Sequence, residues 1–133
     1  LPHGESRERF RNILDQNGTG VFQGKIMVKQ IAQKTDGKMM SQAVLLSDNA
    51  KMNNKPELEI FADDVVCGHG ATCGALDEDL LFYLMARGLP RGEAESLLLA
   101  AFANAAMAGI EDETLRDFFE TRIGAWLAGR AVA

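Results

Sequence analysis

Up to about residue 76 the chain alternates between apolar and polar positions; beyond that point apolar residues recur at helical spacing. In the first part Phe22, Ile26 and Val28 fall on one face, with Gln23, Lys25 and Lys29 opposite. Leu58, Ile60 and Ala62 likewise alternate with Glu57, Glu59 and Asp63. A period of two built from β-branched and large apolar residues predicts strands with one buried face. A third apolar run, residues 43–46, leads into Ser47, Asp48 and Asn49, a turn-forming stretch. Asn17-Gly18 and Asp36-Gly37 are further turn signals. The connections are uneven and rich in Lys and Asn, with no tight two-residue hairpins and no clean internal repeat. An antiparallel sheet and an irregular β-solenoid are equally compatible with that spacing.

The second part predicts three helices. Asp77, Glu78 and Asp79 place acids where a helix N-terminus favours them, ahead of a helix over 80–87 that stops at Gly88 and Pro90. The second helix, about 92–107, is apolar almost all round (Ala94, Leu97, Leu98, Leu99, Ala101, Phe102, Ala105), and Gly109 ends it. Such a helix needs cover on more than one side, from the strands or from another protein. The third, about 112–127, carries a stripe of Leu115, Phe118, Phe119, Ile123, Trp126 and Leu127, with Arg116, Asp117, Glu120 and Arg130 outside it. The expected division is therefore residues 1–76 in strands and 77–133 in a small helical subdomain, a mainly β chain with a C-terminal α part.

Composition narrows the class. Of 133 residues, 47% are apolar and 25% charged, ordinary for a globular chain. The longest apolar stretch, 97–102, falls far short of the roughly 20 residues that span a bilayer. No basic start precedes an apolar core, so no secretory signal is read. The chain opens on Leu1 and a charged segment (Glu5, Arg7, Glu8, Arg9, Arg11), which reads as a fragment with its N-terminal portion missing. Of the net charge of −5, residues 1–76 contribute nothing, with nine basic and nine acidic side chains. Residues 77–133 hold five basic and ten acidic ones. Neither half presents the basic patch that binding to phosphates requires, so neither nucleic acid nor membrane is an expected partner. Two cysteines are too few for a disulfide framework. If residues 67–73 are extended, the two thiols lie roughly 20 Å apart. A reduced, cytoplasmic setting is the expectation.

The segment Cys67-Gly68-His69-Gly70-Ala71-Thr72-Cys73-Gly74 carries the candidate chemistry. On a strand, Cys67, His69, Ala71 and Cys73 share one face. Thiolate and imidazole suit zinc, copper or iron, and residues two apart on a strand sit roughly 6.6 Å apart, close enough to share an ion. Two ligands do not close a site, because structural zinc takes four. Any ion held here needs ligands from a second chain, and the glycines would let another backbone approach. The plainer reading is that Cys67 is a small buried hydrophobe and His69 a satisfied core histidine. The segment lacks the Lys-Ser/Thr of a P-loop and the glycine spacing of a dinucleotide fingerprint. Asp63 and Asp64, adjacent and so pointing oppositely on a strand, read as a solvated turn.

The wording of the chain then carries a resemblance. The run KPELEIFADDV from Lys55 to Val65, followed by CGHGAT at 67–72, LDEDLLFYL at 76–84 and ARGL at 86–89, resembles the SufB/SufD family of iron–sulphur cluster assembly proteins, the SufD branch in particular. GVFQG at 20–24 and KTDG at 34–37 are similar as well, while the likeness is weak beyond Ile110. The resemblance implies the last coils of a right-handed parallel β-helix followed by a three-helix cap. It implies a non-catalytic scaffold that pairs with a SufB-like subunit, or with itself, through the end of the β-helix. The helical subdomain would dock the ABC-type ATPase SufC, with Phe82, Tyr83 and Arg87 as contact candidates or the two aromatics as core. Cys67 and His69 are similar to the family's residues at the subunit interface, where iron or a nascent iron–sulphur cluster would sit in the full complex, none being expected on this fragment alone. Cys73 has no such counterpart. Two alternatives stand beside this: a homodimeric structural module without metal, and a small thiol enzyme in which His69 activates Cys67.

Overall fold

The computed structural model describes residues 1–130. They form two compact units, the first ending at Gly74 and the second beginning at Ala75.

The first unit holds five strands: β1 (Glu5–Leu14), β2 (Thr19–Val28), β3 (Asp36–Leu45), β4 (Lys51–Ile60) and β5 (Val66–Gly74). Odd strands make one sheet in the order β1-β3-β5, and even strands make a second, β2-β4. Every pairing among these strands is parallel. Glu5 lies beside Asp36, Thr19 beside Lys51 and Asp36 beside Val66, so the chain returns to the same sheet after 31, 32 and 30 residues. Parallel neighbours cannot be joined by a short hairpin. Here each connection runs through the opposite sheet, which is why the sequence shows no hairpin turns.

Alternation explains which side of each strand is buried. Along β3, Gly37, Met39, Ser41 and Ala43 are buried while Lys38 and Met40 are exposed. The buried set faces the second sheet. Ser41 Oγ donates to Asn54 Oδ1 of β4 at 2.7 Å, and the Phe10 and Phe22 rings of β1 and β2 stack with centroids 4.5 Å apart. Ile26, Val28, Met39 and Ala62 form the core, with Phe22, Leu58 and Cys67 packed against it. A Cβ on Gly24 would lie 2.9 Å from Met39 Sδ and 2.8 Å from Phe22 Cζ, so the missing side chain makes room for both. Each large apolar side chain buried in this way contributes roughly 1.5–3 kcal/mol.

The expected inward set Phe22, Ile26 and Val28 is the observed one. Three expectations change. Asp36-Gly37 is not a turn but the start of β3, where Gly37 is buried beside Cys67 and Asp36 holds Arg7 at 2.7 Å. The charged opening segment is a strand, β1, because its inner face carries Ser6, Glu8 and Asn12 as well as Phe10 and lacks an apolar stripe. Ile60 is 42% exposed rather than buried, at the last residue of β4. Asp63 and Asp64 do lie in an exposed turn, where Asp64 pairs with Lys34.

The second unit holds α1 (Glu78–Ala86), α2 (Arg91–Asn104) and α3 (Glu113–Arg130), with a single 3₁₀ turn at Ala105–Met107 after α2. Asp77 caps α1: its Oδ1 accepts from the amides of Asp79 and Leu80, both at 3.0 Å. Gly88 follows α1 at φ +96°, a conformation that side chains resist, and its amide donates to Met85 O at 2.9 Å. Arg91 donates to Glu95 at 2.9 Å and to Glu78 of α1 at 3.3 Å, and these carboxylates, the Glu95 hydrogen bond foremost, raise its pKa. Asp112 repeats the capping device, accepting from Leu115 N at 2.9 Å. Asp77→Ala is expected to lower the stability of the helical unit by about 1 kcal/mol, since two amides lose their acceptor. Urea unfolding followed at Trp126 measures it.

Leu81, Ala94, Leu99, Met107 and Leu127 are buried, and α2 meets both α1 and α3. The stripe expected on α3 is largely uncovered: Leu115, Phe118, Phe119 and Trp126 are exposed, as is Leu97 on α2. Three short helices present too little surface to cover two apolar faces at once. The described helices therefore carry a substantial apolar surface.

Candidate functional site

Strand β5 positions Cys67 and His69. It pairs through one edge with β3 and is the terminal strand of its sheet. The parallel register puts Cys67 beside Gly37, His69 beside Met39, Ala71 beside Ser41 and Cys73 beside Ala43. Those four β3 residues are its buried set, so both candidate ligands project from the face turned toward the second sheet.

Their surroundings differ. Cys67 is half-buried and packed against the core, and a Cβ on Gly37 would stand 3.5 Å from its Sγ. The absence of a side chain at Gly37 thus seats the thiol. His69, one residue pair further along, is exposed, as are Ala71 and Cys73. Neither Cys67 nor His69 makes a side-chain hydrogen bond or ion pair among the described residues, and both cysteines are free thiols. No group of three or more His, Cys, Asp or Glu side chains that could hold a metal ion occurs among the described residues. The pair is at most half a coordination shell.

The glycines on the other face of β5 are not filled from within. An added Cβ would meet nothing within 4 Å at Gly68 or Gly74, whereas at Gly70 it would strike Met40 at 2.8 Å.

Of the residues considered for partner contact, Phe82 and Tyr83 are 74% and 53% exposed, and Arg87 is exposed with its guanidinium 4.7 Å from the Tyr83 ring centroid. That stack presents a flat aromatic surface with a cation at its rim. Leu81 alone fills the core of α1. No helix is long and apolar enough to cross a membrane among the described residues.

Residues 1–102 match the family model for the SufBD core domain of the SUF system of iron–sulphur cluster assembly. The chain belongs to this family, and it is a SufD-like member. It is 41% identical over 126 residues, 95% of its length, to the iron–sulphur cluster assembly protein SufD of Escherichia coli, covering 30% of that protein. Over 102 residues, 77% of its length, it is 44% identical to an iron–sulphur cluster assembly SufBD family protein of Synechocystis, covering 22% of it. SufD of Bacillus subtilis is 34% identical over 90 residues, 68% of this chain and 21% of that protein. The chain thus spans less than a third of the length of these relatives.

Proposed function

We propose that this chain is the C-terminal portion of a non-catalytic scaffold subunit of iron–sulphur cluster assembly, with the two-sheet unit forming the last coils of a right-handed parallel β-helix. In this reading the free edge of β5 pairs with a SufB-like subunit or a second copy, and Cys67 and His69 supply half of an interfacial site for iron or a nascent cluster. The cluster is cargo, not a resident group. The observation that carries the reading is the incomplete ligand set: a thiol and an imidazole on one face of a terminal strand, without a third ligand nearby. A strand edge with unpaired backbone groups is a template for another chain. His69 is the more accessible of the two, and Cys67 lies behind it against the core. The thiol-enzyme alternative gains no support, because activation of Cys67 would require a hydrogen bond to His69, and neither side chain makes one.

The helical unit is assigned to an ABC-type ATPase of the SufC kind, its contact face including Phe82, Tyr83 and Arg87. Exposed aromatics beside an arginine are the composition that dominates binding energy in protein interfaces. The setting is cytoplasmic. Co-expression of the full-length protein with the assembly proteins of its own operon tests this: an ABC-type ATPase is expected to copurify. Phe82→Glu together with Tyr83→Glu should reduce its recovery by on the order of tenfold or more. Equal recovery with the double variant would remove these residues from the interface, and no ATPase with the unaltered protein would defeat the assignment.

A further inference from the structure

A second site lies on the outer face of the three-stranded sheet, opposite the face that carries Cys67 and His69. There the register aligns Arg7 with Lys38 and Gly68, and Arg9 with Met40 and Gly70, with Arg11 next in the arginine row. These residues line a groove of about 670 Å³, within the range of small-molecule sites. The even charge balance of residues 1–76 conceals this row, because alternation along β1 sends Arg7, Arg9 and Arg11 to one face and Ser6 and Glu8 to the other. The expectation that this half lacks a basic patch is corrected here. Arg7 donates to the carboxylate and the carbonyl of Asp36, both at 2.7 Å, and Lys38 stands 3.7 Å from the same carboxylate. Glu8 also borders the groove. Four cations thus face two carboxylates. Arg9, at the middle of the row, makes no hydrogen bond or ion pair among the described residues.

We propose that this groove binds a phosphate group, carried on a small molecule with an apolar body. A phosphate monoester is close to a dianion at neutral pH, which matches the surplus of two positive charges. Guanidinium forks suit its oxygens, and arginines at alternate strand positions stand roughly 6.6 Å apart, so two can grip one group from either side. Next to the arginines Met40 lies across Gly70 with its side chain 38% exposed, and Gly68 leaves β5 bare. That strip offers a flat apolar bed for the remainder of the ligand. Free inorganic phosphate and a phosphate ester share the headgroup chemistry and differ only in using this bed.

Isothermal titration of the full-length protein at low ionic strength, with inorganic phosphate in one arm and adenosine monophosphate in the other, tests the proposal. Saturable binding in at least one arm is expected with a Kd below about 1 mM. Tighter binding of the nucleotide assigns the ester and the Met40 bed; equal binding assigns phosphate alone. Arg9→Ala should weaken binding about tenfold or more. Gly68→Glu, which adds a carboxylate in open space without touching an arginine, should do the same. Lys29→Ala, outside the groove, should leave binding unchanged. No saturable binding in either arm, or binding that survives Arg9→Ala or Gly68→Glu undiminished, would overturn the site.

Discussion

His69→Ala in the full-length protein, assembled with its partners, is expected to cut the yield of transferable iron–sulphur cluster by on the order of tenfold or more while leaving the fold intact. The imidazole is exposed and bonded to nothing within the described residues, so its removal costs no buried contact. Any loss must therefore come from what His69 does toward a ligand or a second chain. Cys67→Ala separates the two roles of the thiol. Because Cys67 packs on the core beside Gly37, that variant should show a stability loss of about 1 kcal/mol in addition to an assembly defect. Cys73→Ala serves as the control: the thiol is exposed at the far end of β5 and no change is expected. Cluster transfer to an apo-ferredoxin, followed by its visible absorption, reads all three. Unimpaired transfer with His69→Ala would remove the side chain from the site.

The largest stability effect is expected at Met39. Its side chain is 2% exposed and its sulphur reaches over Gly24 of the opposite sheet, so it joins the two layers of the β unit. Met39→Ala leaves a cavity where the sheets meet and should cost about 2–5 kcal/mol. Gly24→Val approaches the same contact from the other side, because a branched side chain there collides with both Met39 and Phe22. Denaturant unfolding by far-ultraviolet circular dichroism is the measurement, and the two substitutions together should cost less than the sum of each alone, since they disrupt one contact. Full additivity would show that Met39 and Gly24 act independently.

The parts of the fold legible in the sequence were those in which local chemistry and tertiary burial agree. Phe22, Ile26 and Val28 are flanked by Gln23 and Lys25, so alternation alone marked the buried face of β2. Asp77 and Gly88 bracket α1 because a carboxylate cap and a left-handed glycine act within one turn. Where long-range contacts decide, the local signal misled. Asp36-Gly37 has the composition of a turn, yet Gly37 is needed small to seat Cys67 from a strand 30 residues later. β1 carried no apolar stripe, since Ser6, Glu8 and Asn12 occupy its inner face, and it was passed over as a charged opening. The pairing of each strand with one 30 to 32 residues away has no local signature at all.

The candidate site divides in the same manner. That Cys67 and His69 share a face follows from the period of a strand, and that two ligands are insufficient follows from coordination chemistry. Their unequal exposure does not follow from either, because it depends on Gly37 and Met39 of the neighbouring strand. The arginine row was visible as a basic residue at every second position from Arg7 to Arg11, but only the register with Lys38 and the glycines of β5 turns it into a groove.

Anomalous scattering at the iron edge, from crystals of the full-length protein captured with its partner during cluster assembly, bears most directly on the interfacial half-site. The peak is predicted within bonding distance of the His69 imidazole, on the face of β5 that carries Cys67, with the remaining ligands drawn from the second chain. Iron bound in an assembly-competent complex at a place remote from β5 would contradict it.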